Sequence, residues 1–125
     1  MTRVNTVQLE AVIAECVNLS MDGQILEVAQ DRYMENAMLL RWRLVVLKGK
    51  EFGEGDESVK HANRLLAEAS NRLADVKAGL GNIVESFAVL GKLTGDLDKL
   101  VALVELTLAS RHPRIYGDPL ADFRR

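Results

Sequence analysis

Two histidines and one cysteine are the side chains of this 125-residue chain that could most readily bind a metal or act in catalysis. Metal sites in helical bundles need histidines and carboxylates from several helices, often with Glu-x-x-His spacing. The only pair near this pattern is Glu57 and His61, which are four positions apart. Two residues do not complete a site. The sequence therefore predicts no metal, no cofactor and an ordinary exposed position for His61.

Sequence motifs typical of catalytic sites are also incomplete in this chain. Phosphotransfer bundles carry an exposed histidine that Lys and then Gly usually follow, but Leu65 stands at the glycine position after His61. Cys16 falls on the apolar stripe of a predicted helix, which favours a buried and unreactive thiol. The Gly-x-Gly sequences at 53–55 and 79–81 follow no predicted strand, so neither resembles a phosphate-binding loop. The sequence predicts that the protein is not an enzyme.

Four basic residues between positions 41 and 50 could bind nucleic acid. They are Arg41, Arg43, Lys48 and Lys50. Phosphate binding needs several cations on one face. A helix turns about 100° per residue, so Arg41 and Lys48 lie close together whereas Arg43 points about 160° away from Arg41. Four acidic residues follow immediately, between positions 51 and 57. Ordinary solvated charges are the favoured interpretation, and nucleic-acid binding is the alternative.

An apolar patch on the second predicted helix is the best functional candidate. Its members are Met34, Met38, Trp42 and Val45. Methionine adapts to varied partners, and tryptophan is enriched among residues that dominate interface energies. Another segment of the chain could also cover the patch. Apolar residues nearer the carboxyl end extend the predicted protein interface: Leu103, Leu106, Tyr116 and Phe123.

Composition and charge describe a small globular protein. Apolar residues make up 48% of the chain and charged residues 27%, with a formal net charge of −2. This balance provides no general attraction to nucleic acid or to an anionic membrane. A single cysteine cannot form an internal disulfide, which is typical of the reducing cytoplasm. We expect a cytoplasmic protein without a signal peptide or a membrane-spanning segment.

Apolar spacing predicts helices almost throughout. The first helix is expected from about residue 5 to residue 21 and the second from about 24 to 48. A glycine-rich acidic loop, 49–57, separates the second helix from the third, which Asp56 or Ser58 would cap. The third carries an apolar seam with uninterrupted spacing of three and four residues. Its ten members are Val59, Ala62, Leu66, Ala69, Leu73, Val76, Leu80, Ile83, Phe87 and Leu90.

Two glycines in this seam leave its continuity open. Gly79 and Gly81 either turn the chain into a helical hairpin or kink one long helix, and the preserved register of Leu80 and Ile83 favours the kink. Leu93-Thr94-Gly95-Asp96 predicts a stop, with a last helix from 97 to about 110. Prolines and a glycine in residues 113–125 predict an extended arm.

The fold expected is all-α, an up-and-down bundle of four or five helices with two long helices and an extended C-terminal arm. Residues 1–112 would form one domain and residues 113–125 the tail. Because a single small chain has few helices with which to cover so much apolar surface, we expect self-association, most simply a dimer. The predicted function is a homo-oligomeric adaptor, assembly or chaperone-like subunit with a further protein partner. A nucleic-acid-associated accessory protein is the alternative.

Overall fold

Four α-helices make up most of the described chain. The computed structural model describes residues 2–111, with side chains as far as Leu106. The helices are α1 (Thr6–Ser20), α2 (Glu27–Leu47), α3 (Glu57–Lys77) and α4 (Ile83–Arg111). Within this part of the chain the only β pairing is an isolated bridge between Thr2 and Phe52. The all-α prediction is confirmed. The predicted arm, residues 113–125, lies outside the described residues.

Short polar side chains begin three of the helices. Asn5 accepts a hydrogen bond from the Gln8 amide of α1 at 3.0 Å. Asp56 accepts from the amides of Ser58 and Val59 in α3 at 2.8 and 3.1 Å, as predicted. Asn82 accepts from the Glu85 amide of α4 at 3.2 Å. Such caps satisfy amides that have no partner inside the helix, so they fix where each helix starts.

The chain turns at Gly79, and the favoured prediction of one long kinked helix is wrong. Gly79 has φ +78°, a left-handed conformation that glycine adopts without the clash of a Cβ atom. The Leu80 amide donates to the Asp75 carbonyl at 2.9 Å, and the Gly79 amide donates to the Val76 carbonyl at 3.0 Å. This pair of bonds is a Schellman motif. The seam therefore divides between α3 and α4, and Leu80 is 84% exposed.

Helix α4 is continuous through 93–96, so the predicted stop there is also wrong. Leu93 and Leu97 are both fully buried, with Gly95 between them on the exposed side. The Thr94 hydroxyl donates to the Leu90 carbonyl four residues earlier, at 2.8 Å. A glycine inside a helix costs about 1 kcal/mol relative to alanine. The burial of leucines before and after the polar segment outweighs this cost.

The helices alternate in direction, but their order around the bundle is α1, α2, α4, α3. Helix α1 contacts α2 and α3, and α4 contacts the same two helices. The parallel pairs α1–α3 and α2–α4 are therefore neighbours. A hydrogen bond joins the two helices of each pair: Asn5 with Asn63, and Tyr33 with Ser86. The connection 48–56 crosses the end of the bundle diagonally. The bridge from Thr2 holds this connection through two backbone bonds, at 3.0 and 2.7 Å.

Two contacts fix the alignment of α2 with α4. Arg43 Nε donates to Asp98 Oδ1 at 2.7 Å, and the Arg32 guanidinium lies 4.7 Å from the Phe87 ring centroid. Both pairs are 55 positions apart, so Leu47, the last residue of α2, is level with residue 102 of α4. Helix α4 continues to Arg111. It extends nine residues past α2, about 14 Å at 1.5 Å per residue.

The core follows the predicted helical stripes with few exceptions. Its fully buried large side chains include members of all four helices: Leu9, Val12, Tyr33, Leu40, Leu66, Leu73, Leu90 and Leu97. The six seam residues that precede the turn, from Val59 to Val76, are all buried. Leu26, which lies inside the predicted second helix, is 77% exposed because α2 begins only at Glu27.

Candidate functional site

Among the residues that the structure describes, the side chains that could do chemistry do not gather into one site. His61 is exposed on α3, where its Nδ1 atom is hydrogen-bonded to the Asp96 carboxylate of α4. Arg64 and Lys99 line the same shallow groove. No group of three or more histidine, cysteine, aspartate or glutamate side chains within the described residues is placed to hold a metal ion. His112 lies outside the described residues. His61 therefore contributes a link between α3 and α4.

Cys16 is buried in α1, as its position on the apolar stripe predicts. Its side chain is fully shielded from solvent. Burial, with a smaller effect from the neighbouring Glu15 carboxylate, raises the pKa of the thiol from 9.0 to about 12. Since the thiolate is the nucleophilic form, this thiol is inert near neutral pH. Cys16 acts here as a small apolar core residue.

The four cations of the nucleic-acid alternative do not form one free cluster. Arg43 is paired with Asp98 at 2.7 Å, and Lys48 with Glu10 at 3.4 Å. Arg41 and Lys50 are exposed, and neither has an ion-pair partner among the residues that the structure describes. Two of the four cations thus have acidic neighbours that would compete with phosphate.

The apolar patch of α2 faces solvent along its whole length. Relative exposures are 36% for Met34, 68% for Met38, 51% for Trp42 and 72% for Val45. Leu39, which is not among the predicted interface residues, is 41% exposed and lines a groove with Met34, Met38 and Trp42. Its position three residues before Trp42 could have indicated it. We call these five residues the α2 patch.

Charged residues border the α2 patch unevenly. Asp31 and Glu35 lie at its amino-terminal end and have no ion-pair partner among the described residues. Arg43 lies at its carboxyl-terminal end, with its guanidinium 5.7 Å from the Trp42 ring centroid. Arg32, between Asp31 and Glu35 in the sequence, is also exposed, so the amino-terminal end of α2 carries charges of both signs.

Two of the other predicted interface residues, Leu103 and Leu106, are not brought to the α2 patch. Leu103 and Leu106 are 45% and 66% exposed. Both lie past residue 102 of α4, beyond the level at which α2 ends. They form part of the extension of α4 and not of the surface around Trp42. Tyr116 and Phe123 lie outside the described residues.

On the exposed side of α4, two glycines and an alanine lie close together around the helix, in line with Val84, which is 75% exposed. Gly91, Gly95 and Ala102 are exposed and fall within about 40° of one another around the helix. A Cβ atom added at Gly91 or Gly95 would meet nothing within 4 Å, and neither glycine has a positive φ. Glycine inside a helix costs about 1 kcal/mol relative to alanine. Nothing within the described chain explains why these two positions are glycine.

Known proteins provide no further identification. No protein-family model, no curated protein and no solved structure matches this chain. Among residues 2–111, no helix combines the length and the apolar character needed to cross a bilayer.

Proposed function

We propose that this chain is a non-enzymatic helical subunit that self-associates, most simply as a dimer, and serves as an adaptor, assembly or chaperone-like component. The α2 patch is the observation that carries this proposal. It places five large apolar side chains, one of them tryptophan, on one exposed helix face. Contiguous apolar surface of this kind commonly marks a protein interaction site. Trp42 would be its central anchor, because tryptophan is enriched among interface hot spots.

Other features of the bundle support an interaction role without defining the partner. The buried thiol and the isolated His61–Asp96 pair provide no nucleophile with an adjacent base. A cytoplasmic location is part of the proposal, based on the single unpaired cysteine. A further protein partner could use the extension of α4, where Leu103 and Leu106 lie.

Substitution of Trp42 by glutamate tests the proposal. Gel filtration with light scattering should report a dimer for the wild type at about 100 μM. Trp42→Glu should raise the dimer dissociation constant at least 100-fold, which equals about 2.7 kcal/mol. Helicity should be retained because the side chain is half exposed. Met38→Glu, at a 68% exposed position, should act in the same direction and provides a second variant should Trp42→Glu fail to fold.

A matched control adds the same charge elsewhere. Val7 is 77% exposed on α1, outside the α2 patch, so Val7→Glu should leave the dimer unchanged. A monomeric wild type at about 100 μM would contradict the proposal. So would equal weakening by Val7→Glu and Trp42→Glu.

Nucleic-acid binding remains the alternative function. It would depend on Arg41 and Lys50, which have no ion-pair partner among the described residues. A salt-dependent mobility shift with DNA or RNA, lost in Arg41→Glu, would favour it. A dimer without such a shift would favour the self-associating subunit.

A further inference from the structure

Exposed apolar side chains continue along α2 beyond the α2 patch. Val28 is 81% exposed and lies within about 20° of Leu39 around the helix, on the same face. Val45 is the last exposed apolar residue of this face. The distance from Val28 to Val45 is 17 residues, which corresponds to about 26 Å along the helix axis. A segment that covers this face must therefore present apolar side chains over about 26 Å.

Acidic residues predominate at the amino-terminal end of the same face. Glu27, Asp31 and Glu35 follow one another at intervals of four, are exposed, and have no ion-pair partner among the described residues. Arg32 is the one base between residues 27 and 40. Its guanidinium lies 4.7 Å from the ring centroid of Phe87, on the side of α2 that meets α4. Three carboxylates and one guanidinium leave an excess of negative charge at this end.

The predicted tail, residues 113–125, lies outside the described residues and has a complementary sequence. Its large apolar residues are followed directly by two arginines: Ile115, Tyr116, Leu120 and Phe123, then Arg124 and Arg125. Phe123 is eight residues after Ile115, and an extended chain of that length spans about 26 Å. This equals the length of the exposed apolar face of α2. Pro113 and Pro119 favour such an extended conformation over a helix.

We infer that the tail of one copy binds in extended form along the α2 patch of a second copy. Ile115 and Tyr116 lie toward Val45, and Phe123 lies toward Val28. The inference rests on the proposed self-association and names the segment that covers the α2 patch. Two copies that exchange tails use the same pair of surfaces twice, as a two-fold dimer requires.

Charge determines the direction of the tail along α2. In the inferred direction, Arg124 and Arg125 lie beside Glu27 and Asp31. The reverse direction would bring both arginines to the carboxyl-terminal end of the face. Arg41 is exposed there and has no ion-pair partner among the described residues. Because like charges in contact disfavour association, the inferred direction is the favourable one.

The length of α4 favours binding to a second copy over binding to the same copy. Helix α4 runs parallel to α2 and ends at Arg111, about 14 Å past the end of α2. The tail therefore begins beyond its own α2 patch. Even if the chain reversed at once, Ile115 would be four extended residues from Arg111 and would reach only the level of Leu47. Binding to a second copy places all four apolar residues of the tail on the patch.

A mixture of two defective variants tests the exchange of tails. Deletion of residues 114–125 leaves the patch without an occupant, and Trp42→Glu leaves the tail without a binding site. Each variant alone should have a dimer dissociation constant at least 100-fold above that of the wild type. An equimolar mixture should form a heterodimer at least tenfold tighter than either variant with itself, measured by sedimentation equilibrium. A deletion variant that dimerises as tightly as the wild type, or more tightly, would overturn the inference.

Trp42 is the single tryptophan of the chain, so its fluorescence reports on the patch directly. A synthetic peptide of residues 113–125, added to the deletion variant, should change this fluorescence in a saturable way. The deletion variant keeps every described residue. A peptide with Arg124→Glu/Arg125→Glu should bind at least tenfold more weakly, and Glu27→Arg/Asp31→Arg in the protein should restore its binding. No change in fluorescence with the natural peptide would overturn the inference.

A matched control makes the same change of charge elsewhere. In the full chain, Arg124→Glu/Arg125→Glu should raise the dimer dissociation constant at least tenfold. Lys60→Glu/Arg64→Glu alters two exposed positions of α3, which does not contact α2, and should leave the dimer unchanged. Equal weakening by the two variants would show a general effect of charge and overturn the inferred contact.

The outcomes separate this inference from the proposed function. A dimer that Trp42→Glu dissociates, but that deletion of residues 114–125 leaves intact, retains the α2 patch as an interface and overturns the exchange of tails. A wild type that is monomeric at about 100 μM overturns both.

Discussion

Alanine in place of Gly81 should destabilise the bundle, although alanine is normally preferred to glycine in helical sequences. A Cβ atom built at Gly81 would lie 2.6 Å from the Val76 amide nitrogen and 2.9 Å from the Asp75 carbonyl carbon. Both contacts involve backbone at the end of α3, which cannot move away as a flexible side chain would. The turn must therefore open, which weakens the 2.9 Å hydrogen bond that the Gly81 amide donates to the Asp75 carbonyl.

The expected cost of Gly81→Ala is about 2–3 kcal/mol, the upper part of the range for overpacking a tight site. Gly79→Ala has no steric neighbour within 4 Å, but its φ of +78° should still cost about 1–2 kcal/mol. Urea unfolding followed by circular dichroism, at protein concentrations low enough to keep the chain monomeric, would measure both losses of unfolding free energy.

A control and a refuting result follow from the same physics. Gly91→Ala removes a helix-interior glycine with open space around it and should stabilise the monomer by about 1 kcal/mol. If Gly79→Ala and Gly81→Ala also stabilise it by about 1 kcal/mol each, the chain does not turn there. The hairpin of α3 and α4 would then be replaced by one long helix.

Three further predictions concern the core and the tail. Tyr33→Phe removes the buried hydrogen bond to Ser86 Oγ at 2.7 Å and should lower the unfolding free energy by about 1 kcal/mol in urea titration. An unchanged unfolding free energy would show that this hydrogen bond does not stabilise the bundle. Cys16 should resist a thiol-specific reagent at pH 8 until the protein unfolds. Because folding raises the pKa of this thiol from 9.0 to about 12, its contribution to stability is fully present below pH 9 and is lost as the pH rises to 12. The stability of Cys16→Ala should therefore lack this loss between pH 9 and 12. Deletion of residues 114–125 should leave helicity and melting temperature nearly unchanged and weaken self-association; a large loss of stability at high dilution would show that the tail belongs to the core of the subunit.

Helix caps and core stripes could be predicted because they depend on neighbours in sequence. Asp56 caps α3 as expected, and the seam residues from Val59 to Val76 are buried. The turn at Gly79 is the less favoured of the two predictions because Leu80 and Ile83 keep the helical spacing by coincidence. A spacing pattern carries no information on the sign of φ, which decides between a kink and a turn.

Long-range packing could not be predicted from local patterns. Thr94-Gly95-Asp96 has the composition of a helix stop, and only the burial of Leu93 and Leu97 on both sides keeps α4 continuous. The order of helices around the bundle depends on contacts between distant residues, such as Arg43 with Asp98. The α2 patch was largely visible in the sequence. Whether the patch is exposed could not be predicted, because that depends on which helices pack against α2.

The nine residues of α4 beyond the end of α2 would give a proposed dimer two equivalent ends, because each copy would contribute one extension of about 14 Å past α2. A partner that binds one extension would be joined to an identical partner on the other. The dimer would therefore bring two copies of that partner together.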